Sequence, residues 1–203
     1  MKKFDRLPPE QRRAEIRSAA LSLFGEKGFA ATTMENIVEH VSLSKGGVYR
    51  LYSSTEAILK DLMLQGMHLR NDYYAQQVQQ EMEAGRELTL PFLLNIIGDS
   101  LLLYPEFSSV YVEFLWEKRR NPELEALYQD ICTKTVEETR ILIHRCGADS
   151  LLLENPKLLE RLTELMNAAV LSLHVLDLKE GKELLFAAMD NMLTLEGKGE
   201  HHA

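Results

Sequence analysis

Lys45 and Arg50 are the side chains of this sequence best suited to chemistry with a polyanion. They stand five residues apart in "SKGGVYRLY" (Ser44–Tyr52). Each can donate to guanine O6 and N7 in a DNA major groove, or to a backbone phosphate. Between them lie two adjacent glycines, Gly46 and Gly47, although a glycine inside a helix costs about 1 kcal/mol relative to alanine. Catalytic chemistry finds no comparable support. There is no phosphate-binding glycine loop, no metal-ligand spacing and no Ser/His/Asp constellation tied to a turn, so neither an enzyme nor a cofactor is expected. The plentiful carboxylates fall on solvated helical faces.

The charge is unevenly distributed. The whole chain has a formal net charge of −8 over 203 residues, which argues against a nucleic-acid binder over its entire surface. Residues 1–60, however, carry ten Lys/Arg against seven Asp/Glu, and residues 61–203 carry thirteen against twenty-four. A small basic head on an acidic body gives a localised electrostatic footprint. Hydrophobic content of 45% with 27% charged residues is that of a globular protein. No apolar run approaches the roughly 18 residues of a membrane span, and the charged N-terminus lacks the apolar stretch of a signal peptide. A cytoplasmic protein is expected. Cys132 and Cys146 form no CxxC pair and are expected to be reduced thiols. The terminal His201 and His202 read as a ragged tail without metal-ligand spacing.

Strand signals are almost absent, whereas apolar residues recur at three- and four-residue spacing along nearly the whole chain. The expected fold class is all-α. A first helix starts near Pro9 or Glu10 and carries Ile16, Ala19, Ala20, Leu23 and Phe24 on one stripe, until "GEKG" (Gly25–Gly28) stops it. A second begins after a Thr32 or Thr33 cap, with Glu35 near the positive end of its dipole and Ile37, Val38 and Val41 inward. Ser44 caps a short third helix. Two short helices about three residues apart, behind a longer one, fit a helix-turn-helix over roughly Thr33–Tyr52. From Ser53 one long helix runs into the acidic body, followed by helices near 88–103, 105–119, 121–146, 155–178 and 181–196. The division is a head of residues 1–53 and a body of residues 54–203.

The run "LFGEKGFAATTMENIVEHVSLSKGGVYRLYSSTEAIL" (Leu23–Leu59) resembles the DNA-binding domain of the TetR family of bacterial repressors. The resemblance rests on Phe24, Gly28, Phe29, the Thr32-Thr33 pair, Ile37, Ser44-Lys45-Gly46, Tyr49 and the Glu56–Leu59 ending. It implies a homodimer whose recognition helices enter successive major grooves of a pseudo-palindromic operator. It also implies a variable C-terminal domain that binds a small molecule and thereby changes DNA affinity. The chain departs from the family pattern at Val38, usually small; at Ser42, often a glycine with φ > 0; at Gly47, commonly threonine; and at Thr55, commonly lysine.

The resemblance gives the glycines a reading. Gly46 matches a family glycine whose missing Cβ lets the helix approach the DNA backbone. Gly47 removes a side chain from a position that often meets the groove, leaving Lys45 and Arg50 to read bases and Ser44 to touch a phosphate. On another reading Gly47 merely loosens a helix held by Val48, Leu51 and Tyr52. Tyr49 resembles the family tyrosine whose hydroxyl reaches the backbone. Thr33 caps a helix terminus that can receive a phosphate at its free N–H groups. Of the other basic residues near the N-terminus, only Arg12 or Arg13 is expected on the DNA.

In the body, Met63, Met67, Phe92, Tyr104, Phe107, Tyr111, Phe114, Trp116 and Tyr128 are candidates to line a cavity for an apolar or aromatic compound. Taken singly, such residues at helical spacing are more often core than cavity lining; as a set they can form a cavity wall. Glu113 lies among them; if buried, it requires a cationic ligand group, an arginine or a helix terminus. The segments Leu158–Leu178 and Glu183–Leu195 are apolar nearly all round, so they need partners on several sides. The resemblance favours a four-helix interface formed by the last two helices of each subunit. The expected function is a dimeric, operator-bound repressor released by a small molecule. The alternative is a helical interaction module that keeps the fold with weakened or lost DNA binding.

Overall fold

The computed structural model describes residues 8–145, 157–175 and 187. All regular structure among the described residues is α-helical, in the order α1 (Pro9–Lys27), α2 (Met34–Glu39), α3 (Lys45–Leu51), α4 (Thr55–Glu83), α5 (Leu90–Leu103), α6 (Pro105–Glu117), α7 (Pro122–Arg145) and α8 (Leu158–Val175). Apart from Ala187, the segment 181–196 lies outside the described residues, as does Cys146.

Local chemistry sets each boundary. Pro9 opens α1, where its missing N–H costs nothing. Gly25 does not stop that helix; Gly28 does. With φ 82° and ψ 156°, Gly28 occupies a region that is nearly glycine-only, and its N–H returns to Phe24 O at 3.0 Å. Ser44, Ser54 and Thr89 each accept a backbone N–H at the start of α3, α4 and α5. Pro105 ends α5, because the residue before a proline disfavours the helical region, and opens α6.

One hydrophobic core runs from head to body without a break. Ile16, Ala20, Leu23 and Phe24 of α1 meet Ile37, Val48 and Tyr52, then Ile58, Leu59 and Leu62 of α4, and then Met63, Met67, Val110 and Phe114. Each such side chain contributes about 1.5–3 kcal/mol by leaving water. Phe24 and Phe29 pack edge to face at 5.1 Å. A second core joins Tyr74 and Val78 to Ile96, Ile97, Ile143, Leu158 and Val170. The 29-residue α4 contributes to both cores, and α1 packs on both α4 and α6.

An ion-pair cluster fixes α1 to α4. Arg17 donates to Glu10 at 2.7 Å and to Asp61 at 3.0 Å. The Tyr52 hydroxyl also donates to Asp61, while Arg13 lies over the Tyr52 ring at 4.9 Å. Burial pushes the Asp61 carboxyl up, but the donors from Tyr52 and Arg17 outweigh it and hold the group below its usual range.

Candidate nucleic-acid interface and interior cavity

The two short helices are built from their caps inward. Thr33 Oγ1 accepts the Asn36 N–H at 3.2 Å, and the Asn36 side chain accepts the Thr33 N–H at 3.0 Å, closing a reciprocal box at the start of α2. The turn between the helices is held by Glu15 of α1, which accepts from the Ser42 N–H and, at 3.0 Å, from the Ser42 hydroxyl. A side chain that can bond Glu15 thus stands where the family often has glycine.

α3 buries Val48 against Ile37 and Ile58 in the common core and leaves Lys45, Gly46, Tyr49 and Arg50 exposed. The two glycines differ in what they face. A Cβ at Gly46 would meet nothing within 4 Å, whereas one at Gly47 would turn back on Ser44 Oγ at 3.4 Å and Leu43 at 3.5 Å. The bare, outward position is therefore Gly46; Gly47 flanks the turn and not the centre of the open face. Ser44 Oγ is engaged as a cap, accepting the Gly47 N–H at 3.3 Å.

Lys45 is not free. Its ammonium lies 2.7 Å from Glu35 of α2 and 5.6 Å from the Tyr49 ring centre, and the Tyr49 hydroxyl donates to the same carboxylate at 3.3 Å. The hydrogen bond from Lys45 holds the Glu35 carboxyl below its usual range, and Glu35 in turn raises Lys45. Arg50 makes no ion pair among the described residues. A groove beside it is lined by Pro9, Arg12, Ser44, Gly46, Gly47 and Arg50, so two guanidinium groups border a stretch of bare backbone. Arg12 is thus the α1 cation on this face, while Arg13 is committed to Tyr52.

The profile of the bacterial regulatory proteins, tetR family, matches residues 16–62, from mid-α1 into α4. The head is therefore similar to the DNA-binding region of that family. An uncharacterized HTH-type transcriptional regulator, YfiR, from Bacillus subtilis (strain 168) is 43% identical over 58 residues. That stretch is 29% of this chain and 28% of the relative. Two solved structures share the fold over nearly the whole chain. GusR of Salmonella enterica has a TM-score of 0.66 at 17% identity, covering 96% of this chain and 100% of its own. The fatty acid degradation regulator FadR of Bacillus halodurans has a TM-score of 0.66 at 18% identity, covering 100% of both chains.

The body holds a cavity of about 100 Å³ between α4, α5, α6, α7 and α8. Of the ten expected lining residues, Met63, Met67, Tyr104, Phe107 and Tyr111 reach it. The other five lie elsewhere. Phe92 packs with the Tyr74 core. Phe114 is fully buried in the first core, its ring 5.9 Å from that of Tyr111. Trp116, two residues on, is 55% exposed, with Arg119 against its ring. Tyr128 sits behind the wall, where its hydroxyl accepts from Asn167 at 2.8 Å and Lys118 lies 3.9 Å from its ring centre; burial pushes that hydroxyl up to about 12. Glu113 faces the head, accepting the Phe29 N–H at 3.0 Å, so a backbone donor satisfies the carboxylate in place of a ligand or an arginine.

Several lining residues give no sequence signal of their own: Arg70, Ser100, Cys132, Thr135, Met166 and Asn167. Burial pushes the Cys132 thiol up, which keeps it protonated at neutral pH. Among the described residues no group of three His, Cys, Asp or Glu is placed to hold a metal. No helix there is long and apolar enough to cross a membrane.

Proposed function

We propose that this chain is a cytoplasmic, homodimeric transcriptional repressor of the TetR family that binds a pseudo-palindromic operator and is released by a small molecule held in the body. The observation that carries this reading is the open face of α3. Lys45, Gly46, Tyr49 and Arg50 stand on a helix whose other side is locked into the core, with Arg12 across the groove. Bare backbone at Gly46 permits close approach, and cations on either side supply phosphate or guanine contacts. Thr33 and Ser44, at the starts of α2 and α3, are placed to add backbone contacts.

In this reading residues 1–53 form the DNA-binding head and residues 54–203 the ligand-binding and dimerisation body. Leu171 and Val175 of α8 and Ile141 of α7 are exposed apolar side chains and support a dimer made there and by the chain beyond α8. Ligand shifts the population toward a body conformation in which α4 holds the two heads at the wrong spacing for successive grooves.

One observation favours the rival reading of an interaction module without DNA binding: the ion pair that occupies Lys45. Fluorescence anisotropy with duplexes tiled from the gene's own upstream region, across a salt series, separates the two. The repressor binds one duplex with a steep salt dependence, because phosphate contacts release counterions, and Lys45→Ala weakens it. Absence of binding there and in a random-duplex selection, with a folded dimer, would overturn the repressor.

A further inference from the structure

The cavity wall differs in charge from the rest of the molecule. The chain holds thirty-one Asp/Glu, yet the residues lining the cavity include one cation, Arg70, and no carboxylate. Arg70 projects from the middle of α4. One terminal nitrogen donates to Thr135 Oγ1 at 2.9 Å, and Nε is buried with no hydrogen-bond partner. Among the described residues Arg70 makes no ion pair. A guanidinium cannot shed its proton to escape burial, so a half-buried one without a counter-ion is costly to keep.

The surroundings make the site amphipathic. Met63, Met67, Phe107, Ile131, Met166 and Val170 supply apolar wall. On the polar side Tyr111 donates to Asn167 Oδ1 at 2.9 Å, and burial holds the tyrosine well above its usual range, so it stays neutral. Among the described residues, the only formal charge facing the cavity is therefore positive. A carboxylate matches the planar fork of a guanidinium and its open Nε–H. An amine would find no anion there. The volume of about 100 Å³ suits one small ring or a short chain, given that a cavity of about 150 Å³ can hold benzene, and the methionines can repack around either.

We propose that the effector is a small aryl or short-chain alkyl monocarboxylate whose carboxylate docks on Arg70 and whose apolar part lies along Met63, Met67 and Phe107. This rests on reading the cavity as the effector site. The test uses the full chain and two matched series, phenylacetate with phenylacetamide and phenethylamine, and hexanoate with hexanamide and hexylamine, followed by Tm shift and calorimetry. At least one acid should bind about tenfold or more tightly than its amide, with no detectable amine binding. Arg70→Gln should bring acid and amide within about twofold of each other, with the Tm of the unliganded protein not lowered, since an orphaned charge has been removed.

If Arg70→Gln does not fold, the acid-to-amide ratio of the wild type and its retention in Arg70→Lys decide the matter. Amides or amines binding as well as acids, with Arg70 variants indifferent, would overturn the carboxylate and leave the cavity as a ligand site. Failure of all six compounds would overturn both. An acid that binds at Arg70 without loosening the duplex would uphold this site and overturn effector release.

Discussion

The Glu113 carboxylate of α6 accepts the backbone N–H of Phe29 at 3.0 Å, across 84 residues of sequence. It reaches the loop that leaves α1, where a Cβ on Gly28 would lie 3.5 Å from the same carboxylate oxygen. Two to six residues earlier on α6, Tyr111, Ser108 and Phe107 line the cavity. A single helix thus touches the cavity with one face and the head loop with another.

Replacing Glu113 by alanine should leave the Phe29 N–H without its acceptor, at a cost on the order of 1–3 kcal/mol. Glu113→Gln keeps an oxygen in place and should cost less. Urea denaturation of both variants checks the order; equal losses would mean that packing, and not the hydrogen bond, carries the contact.

Gly46→Ala and Gly47→Ala should part company. Both should stabilise α3 by up to about 1 kcal/mol, since alanine is the better helix former and neither Cβ meets anything closer than 3.4 Å. Duplex affinity should fall for Gly46→Ala, whose methyl points into the open space before α3, and hold for Gly47→Ala. Anisotropy that shows the reverse would move the close approach to Gly47.

If Lys45 contacts phosphate as proposed, Glu35 is its competitor, because the two are paired at 2.7 Å. Glu35→Gln should tighten duplex binding severalfold and steepen the plot of log affinity against log salt, while Lys45→Ala should flatten it by about one unit. A salt slope unchanged in both variants would mean that the pair stays closed on DNA.

Asp61 ties stability to pH with a definite sign. Its folded-state carboxyl is held below its ordinary value, so the stabilisation is present at neutral pH and is lost as pH falls through the acid range below about 4. Asp61→Asn should lose on the order of 1–2 kcal/mol at pH 7 and little further on acidification. Denaturation midpoints against pH for both proteins should converge toward pH 2. Parallel curves would remove Asp61 from the acid response.

The helix boundaries are legible in the sequence because they are written in short-range chemistry. Thr33, Ser44 and Ser54 cap helices, Gly28 takes a backbone that side chains avoid, and Pro9, Pro105 and Pro122 begin three helices. The cavity is less legible, because helical spacing groups aromatic residues without saying which way each one points. Phe114 and Trp116 are two residues apart and lie on opposite sides of α6, one in the core and one in solvent. Arg70 escapes notice for a related reason: a cation in a long amphipathic helix resembles its solvated neighbours until the packing of α7 turns its face inward. Arg12 and Arg13 differ by a single step along α1, which is enough to send one to the groove and the other to Tyr52.

Met63 and Met67 belong at once to the continuous core that seats the head and to the wall of the cavity. The molecule consequently has no internal seam, and a calorimetric scan should show one melting peak and not two. The same sharing constrains inheritance. A lineage that reshapes this wall also disturbs the footing of its helix-turn-helix, so the two cannot drift independently, each change in one calling for a compensating change in the other.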